Sequence, residues 1–290
     1  MTPATDYSGK LVCIFLLLTF GLSSIFYILI IHAGSISGGF GLYVAGLMWC
    51  PGIAALLSCK ICGVPVRSMG WQWGKNNYQV WAYLIPVLYT IAAYSTIWAF
   101  GWGSFYNKEF EKNITHSFGW PSLPPGISLF GYFLLIGVFG MAGGMATALG
   151  EETGWRGLLV PQLYKRLGFT RTSLLTGIIW AVWHYPILLF ADYNSGTPAW
   201  YALTCFTVLV VSISFIYTWF RIKSGSLWTG VILHASHNLY IQSIFTPLTI
   251  DTGKTKYFID EFGIVLPAIC LLLAIWFYSK RKQLLHPATQ

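Results

Sequence analysis

The sequence predicts an all-α, polytopic membrane protein with about eight transmembrane helices and both termini in the cytoplasm. Three observations carry this reading. Of 290 residues, 56% are hydrophobic, 18% aromatic and only 9% charged, with mean hydropathy +0.62; an average soluble domain carries roughly 25% charged residues. The apolar residues gather in stretches near the length of about 20 residues that a helix needs to cross the hydrocarbon core. Lys and Arg are divided very unequally between alternate connections. The formal net charge of +8 would suit a nucleic-acid partner only if the basic residues clustered on one folded face. They sit instead at the ends of apolar segments, so the partner they indicate is a lipid bilayer.

The spans are read at residues 11–33, 40–59, 78–102, 126–150, 172–191, 199–220, 225–246 and 262–279. The first follows Lys10, lacks an A-x-A-like cleavage site and is too long for a signal-peptide core, so it is expected to be retained. An even count puts both termini on one side. One set of connections and tails holds Lys10, Lys60, Arg67, Lys75, Arg156, Lys165, Arg166, Arg171, Arg221, Lys223, Lys280, Arg281 and Lys282. The other holds Lys108, Lys112, Lys254 and Lys256, together with Glu109, Glu111, Asp192, Asp251, Asp260 and Glu261. The positive-inside rule assigns the first set to the cytoplasm; in a bacterium the membrane would be the plasma membrane.

Residues 1–125 form an N-terminal unit of three spans, 126–246 a core of four, and 247–290 the last span with a basic tail. Trp71, Trp73, Tyr78 and Trp81 fit an interfacial aromatic belt. Gly140, Gly144 and Ala148 recur every four residues, a stripe that admits a close neighbour. Cys13, Cys50, Cys205 and Cys270 lie within spans, and the single Cys59-x-x-Cys62 pair lacks the second pair of a structural zinc site. The cysteines are therefore expected to be inert thiols.

Ionisable side chains at membrane depth are costly and mark functional candidates. Three segments hold nearly all of them. In LGEETGWRGLLVP (149–161), Glu152 and Arg156 are four apart, on one face and in the favourable order. Glu151 points about 100° away and is left free to act as a base. In WAVWHYP (180–186), His184 is expected about 18 Å from the cytoplasmic end of its span, with a kink at Pro186. In LHASHN (233–238), His234 lies about 14 Å deep, and Asn238 is one turn away on the same face. That pair suits metal ligation, proton transfer or oxyanion stabilisation. His237 is expected to point elsewhere. Together the segments predict a buried polar chamber opening toward the cytoplasm and suited to hydrolysis of an amide, with or without a metal. A proton-coupled transporter is the rival, since buried Glu and His also build proton relays; no duplicated halves are visible. A non-catalytic membrane scaffold or immunity protein is the third reading.

These residues resemble a known family. EETGWR (151–156) matches the EExxxR motif of the CaaX protease and bacteriocin-processing (CPBP, or Abi) intramembrane proteases, which include the type II CaaX prenyl endopeptidases. WAVWH (180–184) is similar to FxxxH, with Trp180 in place of Phe, and HASHN (234–238) matches HxxxN. The resemblance implies eight helices and a water activated by Glu151 with His184. It also implies a supporting Glu152–Arg156 pair and an oxyanion held by His234 and Asn238. The family is labelled metalloprotease, which implies zinc on Glu151, His184 and His234; a metal-free route with Glu151 as general base stays open. The implied substrates are membrane-associated peptides or proteins, CaaX-type prenylated ones among them. The chain ends in HPATQ, without a CaaX box, and is not expected to be its own kind of substrate.

Overall fold

Inside a bilayer the backbone must satisfy its own polar groups, and a helix does so within one segment. The computed structural model describes residues 7–120, 123–124 and 126–284; the C-terminal HPATQ lies outside the described residues. The helices are α1 (Tyr7–Ala33), α2 (Leu42–Cys62), α3 (Asn76–Ala99), α4 (Lys108–Ser117), α5 (Ile127–Leu135), α6 (Met141–Glu152), α7 (Val160–Phe190), α8 (Ala199–Ser224), α9 (Trp228–Asn238), α10 (Thr246–Leu248) and α11 (Val265–Ser279). The one sheet among the described residues is a two-residue antiparallel pair, β1 (Ser104–Phe105) with β2 (Thr249–Ile250). The chain is thus all-α.

Among the described residues, five helical stretches are long and apolar enough to cross a membrane: Gly9–Ala33, Leu42–Cys62, Asn76–Ala99, Ile127–Phe190 and Ala199–Ser224. The fourth runs for 64 residues, which would be about 96 Å if straight. It is broken at Gly168, where φ is 67° and ψ is −176°, a conformation open to glycine and strained for other residues. The break therefore falls at Gly168, and Pro186 lies within regular helix. The chain also does not leave its helix at Glu151, as the span ending at 150 implied. It continues through a π-helical turn at Thr153–Leu159 into α7. Both glutamates are therefore interior to a helix, and they are buried.

The small-residue stripe packs as its spacing implies. A Cβ on Gly144 would lie 3.3 Å from Ala235 of α9, and one on Gly140 would lie 2.9 Å from Leu239. A second close approach joins α6 to α2: a Cβ on Gly150 would meet the Met48 carbonyl at 2.6 Å, and one on Gly52 the Gly150 carbonyl at 2.6 Å. Helix α6 is thereby held between α2 and α9 with its C-terminal end in the interior.

Hydrogen bonds between connections define two ends of the bundle. At one, Leu227 N–H donates to Gly70 O (2.8 Å), Gln72 to Gly225 O (2.8 Å), Trp228 to Trp71 O (2.8 Å) and Lys223 to Gln283 O (2.7 Å). At the other, Ser35 donates to Asp192 (2.9 Å), Lys256 to Gly196 O (2.9 Å) and Ser195 to Asp260 (3.2 Å). These are the basic and the basic-poor sets read from the sequence.

Candidate active site

The pair expected from the four-residue spacing is formed: Arg156 Nη1 donates to Glu152 Oε1 at 3.0 Å, with both side chains fully buried. Two ring faces carry the rest of the guanidinium, with its carbon 4.2 Å from the centroids of Trp180 and Tyr217. Such cation–π contacts strengthen as water is removed. Glu152 Oε1 also accepts from His234 Nδ1 at 3.0 Å. A carboxylate accepts only, so Nδ1 carries the proton and Nε2 is the nitrogen presented to the cavity. Gly230, one turn before His234, leaves room for this arrangement, since a Cβ there would lie 2.7 Å from Glu152 Oε2.

Glu151 is held differently. Its Oε2 accepts from the indole N–H of Trp180 at 2.7 Å and from that of Trp155 at 3.3 Å. Neither donor belonged to the set inferred from sequence, where Trp180 counted only as an aromatic standing for Phe. His184 Nδ1 donates to the Trp180 carbonyl at 2.9 Å, the i−4 bond a helical side chain reaches easily. Its Nε2 is again left free, and its ring meets Trp183 edge-on at 4.7 Å. Asn238 closes α9 immediately before a second π-helical turn, Leu239–Phe245. Single π turns inside α-helices are frequent at functional sites, and two of them adjoin this one.

Glu151, His184, His234 and Asn238 all line one cavity of about 160 Å³. The pair of Glu152 and Arg156 stands behind it, orienting His234. Two residues not expected there also line it: His237 and Glu261. His237 Nε2 lies 3.1 Å from Glu261 Oε1 and its Nδ1 lies 2.5 Å from Tyr89 Oη. Glu261 accepts further from Tyr193 (2.6 Å) and Gln242 (3.2 Å). Nothing in the sequence ties His237 to a glutamate in the connection before α11; the juxtaposition is purely tertiary. The lining also draws on Ile36 and on Val44, Leu47 and Met48 of α2, beyond the 126–246 core.

The connections contributing to the cavity lining are those of Ile36, Tyr193 and Glu261, all at the basic-poor end. At the basic end the buried Arg221 donates to Arg156 O (2.7 Å), Gly225 O (2.8 Å) and Met69 O (3.2 Å), closing three elements over the site. Arg221, too, was read only as a charge at a span end.

Glu151, His184 and His234 have the chemistry of a catalytic zinc triad. Their arrangement does not fit that role: among the described residues no three His, Cys, Asp or Glu side chains converge as metal ligands.

A carboxylate, two oriented imidazoles and an amide line one cavity within the helix bundle of an integral membrane protein. Residues 131–240 match the family model for the type II CAAX prenyl endopeptidase Rce1-like proteins. The CAAX prenyl protease 2 of Methanococcus maripaludis is similar to this chain, 31% identical over 96 residues that cover 31% of this chain and 34% of that protein. The chain thus spans about a third of the length of that curated relative. All three motifs lie within 131–240, the segment that is similar to that family model.

Proposed function

We propose that this chain is an intramembrane endopeptidase that hydrolyses a peptide bond of a membrane-associated substrate. The observation that carries the reading is the convergence of Glu151, His184, His234 and Asn238 on one cavity within the bundle. Eight spans with the basic end in the cytoplasm complete the proposal, supported by the segregation of connections into two hydrogen-bonded ends.

In the proposed reaction, water lies between Glu151 and His184 Nε2. Glu151 removes a proton as the water oxygen attacks the peptide carbonyl carbon. The Asn238 amide and a doubly protonated His234, donating from Nε2, stabilise the negative charge on the carbonyl oxygen. Collapse breaks the C–N bond, and the proton held by Glu151 passes to the leaving amine. The Trp180 and Trp155 donors fix one oxygen of Glu151, so the other is offered to water.

Cleavage assays with the purified protein test this reading. A farnesylated CaaX peptide and its unprenylated counterpart should be offered beside a library of membrane peptides, with and without a strong chelator. New peptide termini support the proposal. Absence of cleavage across all substrates, with proton-coupled flux in liposomes, would replace it with the transporter.

A further inference from the structure

One carboxylate on the cavity wall has no part in the proposed reaction, yet it gathers the segments that carry the rest. Glu261 stands in the connection before α11 and lines the cavity. Its Oε1 accepts from His237 Nε2 at 3.1 Å and from the Gln242 amide at 3.2 Å, and its Oε2 accepts from Tyr193 Oη at 2.6 Å. A carboxylate only accepts, so His237 Nε2 carries the proton and its Nδ1 accepts from Tyr89 Oη at 2.5 Å. His237 is thereby engaged on both ring nitrogens, and it ties α9 to α3 as well as to Glu261. The connection is itself fixed: Ser195 donates to Asp260 (3.2 Å) and Lys256 to Gly196 O (2.9 Å). With both oxygens engaged and only 4% of the residue exposed, Glu261 acts through these neighbours and not on substrate.

Two of its bonds flank Asn238. His237 precedes Asn238 in α9, and Gln242 follows it in the π-helical turn. The Asn238 amide makes no hydrogen bond of its own among the described residues, so its place is set by the backbone on either side. The third bond reaches the other half of the site. Tyr193 lays its ring beside the His184 imidazole, with 6.3 Å between centroids and 26° between planes, and meets Phe262 edge-on at 4.9 Å. A buried polar network whose members are all satisfied rigidifies what it joins. We infer that Glu261 is a positioning residue: it sets the Asn238 amide against His184, where the substrate carbonyl oxygen would gather negative charge. The reaction served by this placement rests on the proposed peptidase reading; the placement itself does not.

A double-mutant cycle on the purified full chain tests this. An oxyanion donor acts in the transition state, so displacing it lowers kcat and leaves KM nearly unchanged. Removing such a donor costs about 10²–10³ in kcat, the loss expected of Asn238→Ala. Glu261→Gln keeps the volume and replaces an acceptor by a donor. It should lower kcat by about tenfold or more, with KM within about twofold of wild type, because small misplacements of a reacting group are costly. In the Asn238→Ala background the same substitution should cost less than about twofold, since the group it positions is gone. Equal losses in both backgrounds, or a loss confined to KM, would overturn the inference. A second readout needs no catalysis. In protein carrying isotope-labelled asparagine, the Asn238 side-chain amide resonances are identified by their absence from Asn238→Ala. They should shift or broaden in Glu261→Gln, and unchanged resonances would overturn the inference. Should Glu261→Gln fail to accumulate, Gln242→Leu removes one of the bonds flanking Asn238 and carries the same predictions with a smaller loss. A wild type that cleaves nothing, with the Asn238 resonances moving as predicted, would sink the peptidase reading and leave the positioning standing.

Discussion

The indole N–H of Trp180 donates to Glu151 Oε2 at 2.7 Å, while the face of the same indole packs 4.2 Å from the Arg156 guanidinium. One side chain therefore orients the proposed base and insulates the ion pair behind it. A phenylalanine at this position would keep the ring and lose the donor.

Trp180→Phe separates those two roles. Hydrogen bonds to charged groups contribute about 1.5–3 kcal/mol, so kcat should fall by about ten- to a hundredfold if the bond holds Glu151 in its working position. Thermal stability in detergent should change little, because the ring still covers Arg156. An unchanged kcat would remove Trp180 from the mechanism.

The Glu152–Arg156 pair is fully buried, and breaking such a pair from one side strands a charge at a cost of about 3–5 kcal/mol. Glu152→Gln should therefore lower the unfolding temperature sharply. Replacing both residues together, as Glu152→Leu with Arg156→Met, should recover much of the stability. The double variant should remain inactive, because His234 has lost the carboxylate that orients Nδ1. Thermal unfolding and a cleavage assay on the same preparations decide this.

Gly230→Ala places a methyl group 2.7 Å from Glu152 Oε2. Overpacking of a filled interior costs about 1–3 kcal/mol, and here the atom displaced is a carboxylate oxygen shared by the His234 network. The variant should lose both stability and activity, whereas Gly143→Ala, with open space around it, should be silent in both assays.

Stability should also depend on pH through the connection before α11. Burial, and then the neighbouring Glu261 carboxylate, push the Asp260 carboxyl up from 3.8 to about 7. Between those values the folded state binds the proton that the unfolded state has released, so stability falls as pH rises through this window. Asp260→Asn should flatten the decline and raise the unfolding temperature of the protein near pH 8 relative to wild type. A wild-type unfolding temperature that stays level from pH 4 to 7 would contradict the assignment.

Much of this architecture was legible in the sequence because it follows from local rules. Span-length apolar runs, the division of Lys and Arg, the glycine stripe and the four-residue spacing of Glu152 and Arg156 each depend on neighbours along one helix. The motif residues Glu151, His184, His234 and Asn238 were legible as intramembrane polar groups. What escaped is tertiary. Trp180 looked apolar because its N–H finds a partner 29 residues away. His237 looked idle because Glu261 reaches it from the connection before α11, distant in sequence. The helix also continues past Glu151, since buried partners for both carboxylates remove any need to reach water there.

Glu151→Gln is the measurement on which the account turns. Wild type and variant should be purified in the same detergent, matched for unfolding temperature, and incubated with the membrane-peptide library, with new termini read by mass spectrometry. A positioned general base contributes about 10²–10⁴-fold to rate, so the wild type should generate defined termini and the variant should be slower by at least about a hundredfold. Cleavage at wild-type rate by Glu151→Gln would contradict the assignment of the base and, with it, the site around which this fold is built.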